Sequence, residues 1–380
     1  MSETAIVPDD KDWTWVLNEP CPECGFEAAA VTRAGIADVV RANAQTWQAV
    51  LTLDDAAVRP DPATWSTLEY ACHVRDVNRI FDVRVGLMLG EDDPTFANWD
   101  QDATAVEERY AEQDPATVSA ELLAAAESAA ARYESVPDDA WERRGFRSNG
   151  SEFTVDSIGR YHLHDLVHHA WDVRAAVARA TVLAYDASAA AFRDGTENEV
   201  IDAMISEFAA AVGSGGRVLE VGSAGGRDAR HLETCGLSVR RTDVSPGFVE
   251  LMRADGKVAD VLDPLTDDLD DPERPGVPYD GVWANACLLH VERTDLPVVL
   301  RRLADATAVG GLLRFSVKEG DGAAWSTHGH VAGPRRFTFW RAEPLRAVVD
   351  GAGWEVETVR QYVGFQSDQP WLEVRARRRG

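Results

Sequence analysis

Three groups of residues in this 380-residue chain have types and spacings suited to chemistry. The first is Glu220-x-Gly222-x-Ala224-x-Gly226, between the apolar run Val218, Leu219, Val221 and the start of a helical pattern. Glycines there let the backbone turn sharply and leave room for a ligand. The helix that follows offers free N–H groups at its N-terminus. About 20 residues further on, Asp243 closes a second strand pattern, where a carboxylate can accept hydrogen bonds from ribose hydroxyls. Asp243 also precedes a helix, so N-capping is its alternative role. The second group is histidine: His73, and the segment Tyr161-His-Leu-His-Asp-Leu-Val-His-His-Ala-Trp-Asp172. The third is Cys21-Pro-Glu-Cys24-Gly, one half of a zinc knuckle. No second half is visible in the sequence, and the pair reads as a structural turn.

The elements that must position these groups differ between the two halves of the chain. From Val31 the pattern is helical, with four helices expected at about 33–52, 63–90, 115–136 and 155–180. Pro60, Pro62, Pro94, Pro115 and Pro137 fall between them or at their ends, where proline is tolerated. His73 shares an apolar stripe with Tyr70, Val77, Ile80 and Phe81 by i, i+3, i+4 counting. At about 100° per residue, Leu163, Leu166, Val167, Ala170 and Val173 form an apolar arc on the fourth helix. His164, His168 and Trp171 lie at its edge, still able to face inward. His162, Asp165, His169 and Asp172 fall on a polar arc, expected to be solvated or to orient a ligand ring. His73, His164 and His168 would then converge, and three imidazoles suit a divalent transition metal such as zinc, nickel or iron.

In the second half, strand patterns alternate with helical ones. Strands are expected at 217–221, 237–243, 258–261, 279–286, 312–317, 354–361 and 369–376, with helices between them. A helix over Glu197–Val212 leads into this half, and Gly213-Ser-Gly-Gly216 marks the entry to the sheet. The loop 318–341, rich in tryptophan, histidine and arginine, is expected to overhang the substrate side.

Composition removes several classes. With 64 acidic against 38 basic residues the net charge is −26, which disfavours nucleic acid as a partner. No apolar run reaches the length of a membrane span, and the first residues, Met-Ser-Glu-Thr, are not an export signal. The reading is a cytoplasmic protein. Five cysteines in such a chain do not make a disulfide framework.

The motifs carry two resemblances. Glu220 to Gly226, with Asp243 beyond, resembles motif I of the class I S-adenosylmethionine methyltransferases, with Ala224 where a middle glycine is common. That resemblance covers about residues 181–380 and implies a Rossmann-like, seven-stranded domain. It implies cofactor contacts from Glu220, Gly222, Ala224, Gly226, Asp243 and Val244. Asp260 would meet the adenine amino group, Val261 the ring, and Asn285 and Ala286 the methyl end, with His290 as the catalytic candidate.

Trp65-Ser-x-Leu-Glu-Tyr-Ala-Cys-His73 and His164-Asp-Leu-Val-His168-His169 resemble the DinB-like superfamily. Over about residues 31–180, behind an extended arm at 1–30, this implies a four-helix bundle with metal ligands His73, His164 and His168. The expected activity is methyl transfer from S-adenosylmethionine to a small-molecule N, O or S nucleophile. The bundle would hold or activate the acceptor, which the metal suggests is a thiol. The alternatives are a bundle acting as a mycothiol-type transferase, or one serving only to form a homodimer.

Overall fold

The computed structural model describes residue 6 and residues 11–196, 202–363 and 368–380. The chain divides into two compact units, Met1–Val177 and Ala178–Gly380.

The first unit is helical. Its helices are α1 (Ile36–Val50), α2 (Thr67–Gly90), α3 (Gln101–Glu107), α4 (Pro115–Glu134) and α5 (Val155–Asp172). Local sequence explains where they begin. The Ser66 hydroxyl accepts from the Glu69 N–H while the Glu69 carboxylate accepts from the Ser66 N–H, a capping box that starts α2. Asp114 caps α4, with Pro115 in its first turn, and Thr154 and Ser157 cap α5 reciprocally.

The helices α1 and α2 each pack on α4 and on α5. Trp47, Leu68, Val77, Leu122, Leu163 and Leu166 are buried between them. The expected bundle is therefore present. The sequence patterns do not show α3 or a small sheet, β1 (Thr95–Phe96), β2 (Arg144–Arg147) and β3 (Glu152–Thr154), whose strands are too short to set up a period. The described part of the N-terminal arm, residues 11–30, is not extended throughout. It folds into single 3-10 turns at Trp13–Leu17 and Ala28–Ala30 and buries Val16, Cys21, Phe26 and Ala28.

The unit boundary falls within α6 (Arg174–Asp186), which is followed by α7 (Ala189–Thr196) and α8 (Asp202–Val212). Glu197–Ile201, the expected start of the helix before the sheet, lie outside the described residues. The strands of the second unit are β4 (Arg217–Val221), β5 (Ser238–Asp243), β6 (Ala259–Val261), β7 (Tyr279–Ala284), β8 (Thr307–Lys318), β9 (Ala323–Ser326), β10 (Arg335–Thr338), β11 (Trp354–Val363) and β12 (Pro370–Arg378). The helices α9 (Arg227–Thr234), α10 (Pro246–Ala254), α11 (Leu296–Asp305) and α12 (Ala342–Gly351) connect them.

Seven strands form one sheet in the order β11-β12-β8-β7-β4-β5-β6. All neighbours are parallel except β12, which runs antiparallel to both β8 and β11. Both faces are covered, which is why β4 reads as a near-continuous apolar run. Leu219, Val282 and Phe315 enter one core, and Val218, Trp283 and Leu312 enter the other. The segment expected as a loop at 318–341 contains the β9–β10 hairpin and buries Phe337 and Trp340. Among the described residues, no helix is long and apolar enough to cross a membrane.

Candidate functional site

In the second unit the chain order reverses at β4, which has β5 on one side and β7 on the other. Open α/β sheets bind ligands beyond the carboxyl ends of the strands at such a point. The turn after β4 lies there. Gly222 has φ +72°, and a Cβ on it would stand 2.4 Å from the Cys287 Cβ. Only glycine fits.

Two non-glycine residues at these strand ends also have positive φ: Ala224 at +47° after β4, and Ala286 at +54° after β7. A left-handed alanine costs about 1–2 kcal/mol, so the surrounding structure holds both loops in shape. Ala224→Gly is expected to stabilise the protein by roughly 0.5–1 kcal/mol, whereas alanine-to-glycine at the helical, buried Ala229 costs about 1 kcal/mol. Chemical denaturation of the two variants checks the opposite signs.

The Asp243 carboxylate closes this turn. Its Oδ2 accepts from the Ala224 N–H at 2.8 Å and its Oδ1 from the Ser245 N–H at 2.9 Å. The cap of α10 is Ser245, not Asp243. Burial pushes the Asp243 carboxyl up to about 6, against those two backbone hydrogen bonds. Burial and the nearby Asp228 push Glu220 up to about 8, so Glu220 carries its proton at neutral pH. Three buried acids, Glu220, Asp228 and Asp243, thus gather at the ends of β4 and β5.

Val244 and Val261, at the ends of β5 and β6, are 38% and 48% exposed. These are apolar surfaces that a flat ring could cover. Asp260 is engaged with Arg240 at 2.9 Å. Asn285 is held at both ends: its Nδ2 donates to Asp228 at 3.1 Å, and its Oδ1 accepts from the Ser316 hydroxyl at 2.9 Å. Ser316 also accepts from the Ala286 N–H at 2.9 Å. Both Asp260 and Asn285 therefore brace the walls of the site.

His290 Nδ1 donates to the Arg336 carbonyl at 2.6 Å, which fixes the tautomer and leaves Nε2 to accept from the Tyr185 hydroxyl at 2.9 Å. Burial lowers the His290 pKa to about 4, so the ring is neutral. Both nitrogens are occupied, and any base chemistry at His290 runs through Tyr185. Tyr185 has no spacing signature in the sequence.

In the first unit the expected metal ligands do not form one group. The ligand atoms of His73 gather with those of Asp165 and His169, all within 4.8 Å of one another. Those of His164 and His168 gather with Cys21 and Cys24. The arc expected to be polar and solvated faces inward: His162 is fully buried, and Asp165 lines up with His73. The physical reason is that α5 is covered on more than one side. The α1 and α2 helices pack against it, and so does the turn Trp13–Leu17. Adjacent stripes of one helix, 164/168 and 165/169, thus meet different partners.

His73 Nε2 stands 3.3 Å from Asp165 Oδ1, and His169 Nε2 stands 3.6 Å from the same oxygen. Among the described residues, neither ring nitrogen of His73 has a hydrogen-bond partner, nor does Asp165 Oδ1, although all three atoms are buried. Buried polar atoms normally have partners, and a shared cation would satisfy Asp165 Oδ1 and the His73 nitrogen that faces it, Nε2. Asp172 accepts from His169 Nδ1 at 2.8 Å and so orients that ring. Although burial opposes it, the His73 and His169 imidazoles hold the Asp165 carboxyl well below the usual range. Trp99 stacks on His73 with ring centroids 5.1 Å apart, and Trp65 and Tyr70 flank the two histidines.

Comparison with known families agrees with both halves. Residues 9–173 match the model of the DinB superfamily, and residues 192–359 match a methyltransferase domain. The chain joins a DinB-superfamily helical domain to a methyltransferase domain, and by the second it is an enzyme of the methyltransferase class. It is similar to the 1,6-didemethyltoxoflavin-N1-methyltransferase of Burkholderia thailandensis, solved with 1,6-didemethyltoxoflavin and S-adenosylhomocysteine (20% identity, 53% of this chain and 89% of that one, TM-score 0.41). It is also similar to the N-methyltransferase NodS of Bradyrhizobium japonicum with S-adenosylhomocysteine (17% identity, 52% and 98%, TM-score 0.39). The CcbJ methyltransferase of Streptomyces caelestis is a third (17% identity, 50% and 96%, TM-score 0.38). No curated protein matches the chain.

Proposed function

We propose that this enzyme transfers the methyl group of S-adenosylmethionine to a small-molecule N, O or S nucleophile. The observation that carries the reading is the pairing of the strained turn at Gly222 and Ala224 with the Asp243 carboxylate at the switch point. The ribose hydroxyls would donate to Asp243, and the adenine would lie between Val244 and Val261. Glu220, Gly226, Asp260, Asn285 and Ala286 shape the pocket around them.

Transfer is a direct displacement: the nucleophile forms the new bond to carbon while the sulfur keeps the electron pair of the old one. Alignment supplies most of the rate, and Tyr185 is placed to take a proton from a neutral acceptor as its own hydroxyl proton passes to His290 Nε2. Calorimetry with S-adenosylmethionine and S-adenosylhomocysteine tests the donor site directly. If the wild-type protein binds neither, the reading fails.

In the helical domain, His73, Asp165 and His169 fit a divalent cation through two imidazoles and a carboxylate. Such a cation lowers the pKa of a bound water or thiol. The orphaned His73 Nε2 and Asp165 Oδ1, facing each other, favour this over a bundle that serves only for packing or dimerisation. Asp165→Asn is expected to lose the bound metal, and Asp172→Ala to weaken it by about 10–100-fold, both read by elemental analysis after dialysis. If His73→Ala removes the metal and leaves turnover on the true acceptor intact, the metal lies outside the methylation path.

A further inference from the structure

We propose that Cys21, Cys24, His164 and His168 form a second metal centre, a closed tetrahedral zinc site that ties the N-terminal arm to α5. It is separate from the His73 cluster and does not depend on the reading given to that cluster.

The four ligand atoms lie within 4.8 Å of one another. Two ligands bound at about 2.3 Å (sulfur) and 2.0–2.1 Å (nitrogen) with tetrahedral angles stand about 3.6 Å apart. Cys21 Sγ and His168 Nδ1 are 3.7 Å apart.

The cysteine half has the turn such a site requires. The Cys21 N–H donates to the Phe26 carbonyl at 2.9 Å, and the Gly25 N–H donates to the Cys21 carbonyl at 2.9 Å. Gly25 has φ +71°, which glycine adopts without strain. This closes Cys21-Pro-Glu-Cys24-Gly into a knuckle that presents both sulfurs on one side. The histidine half is one turn of α5, with its two rings 5.2 Å apart.

Three independent observations point to a ligand. His164 Nε2 is buried without a hydrogen-bond partner among the described residues, in a side chain 4% exposed overall. The Glu23 carboxylate, inside the knuckle, stands 3.5 Å from His168 Nε2. That is the place of a carboxylate that orients a metal-bound imidazole through its other nitrogen. Trp13 packs on both histidines, with centroids 5.4 and 5.0 Å away, and Phe26 lies edge-on to His164. These rings shield the site from water.

Sulfur ligands select zinc over magnesium or calcium. Two thiolates and two neutral imidazoles cancel the charge of a zinc ion, as a buried site requires. Four protein ligands leave no open position, so the site is structural.

The test uses the full chain, with zinc exchanged for cobalt(II). Expected are the intense visible bands of tetrahedral cobalt and a near-ultraviolet thiolate-to-cobalt charge-transfer band. Cys21→Ser/Cys24→Ser should abolish the charge-transfer band and lower zinc by one equivalent per chain. Asp165→Asn, which disturbs only the other cluster, should keep the band. A wild-type cobalt protein without the thiolate band overturns the proposal and needs no variant to fold. So does a serine pair with undiminished zinc, or an Asp165→Asn protein that loses the band.

Discussion

Asp243→Asn should raise the dissociation constant for S-adenosylhomocysteine by about 100-fold or more, since each hydrogen bond to a charged group contributes roughly 1.5–3 kcal/mol. The change is nearly isosteric, so packing does not explain the loss. Both carboxylate oxygens already accept a backbone N–H, one from Ala224 and one from Ser245. An amide offers only one acceptor, so whichever way it turns, its NH2 group faces an N–H donor. The turn that should receive the nucleoside is then mis-shaped, and the ribose loses its anionic partner.

The same carboxyl sets the expected pH dependence. With its pKa raised to about 6, Asp243 is ionised at pH 7 and largely protonated at pH 5. Wild-type affinity for S-adenosylhomocysteine should fall by about tenfold between those values if only the ionised form binds. Glu220, pushed up to about 8, stays protonated across that window and does not contribute. Calorimetry at the two pH values, with Asp243→Asn as control, reads this. A pH-independent wild type together with an asparagine variant of unchanged affinity would remove Asp243 from the donor site.

Glu373→Ala should destabilise the methyltransferase unit by about 3–5 kcal/mol, the usual cost of stranding a buried charge. Glu373 and Arg314 are 1% and 2% exposed, on the adjacent strands β12 and β8. Arg314 Nε donates to Glu373 Oε1 at 2.6 Å, and Arg360 Nε donates to Oε2 at 2.9 Å. The remaining Arg314 nitrogens have no hydrogen-bond partner among the described residues, and the guanidinium lies over the Trp283 ring at 4.3 Å. Removing the carboxylate leaves that cation in the sheet without an anion. Against a total stability of about 5–15 kcal/mol, such a loss is severe.

Differential scanning calorimetry with and without S-adenosylhomocysteine, which should shift only the methyltransferase transition, measures it. The double change Arg314→Met/Glu373→Leu removes both charges and should recover most of the loss. A single variant that costs under about 1 kcal/mol would mean that water reaches the pair.

The four long helices and the seven-stranded sheet were legible because both depend on local periodicity. Apolar stripes at i, i+3, i+4 placed α1, α2, α4 and α5, and short apolar runs closed by glycine or aspartate placed β4 to β8. The turn at Gly222 was legible for a related reason. A positive φ and a close approach to Cys287 leave glycine as the residue that fits, and the requirement is written at one position. The β9–β10 hairpin was not legible, because its four-residue strands carry no clear alternation.

The metal ligands divide along the same line. Local sequence alone settled that α5 carries two neighbouring histidine-bearing stripes, since 100° per residue fixes which side chains share a face. It could not settle which stripe meets His73, because that depends on the rotation of α5 against α2, which long-range packing sets. Nor could it pair the knuckle at Cys21 with α5, as the Cys21–His168 contact spans 147 residues. Periodicity is a property of neighbours in the chain. Ligand sets are a property of neighbours in space, and only the folded bundle brings the arm, α2 and α5 to one place.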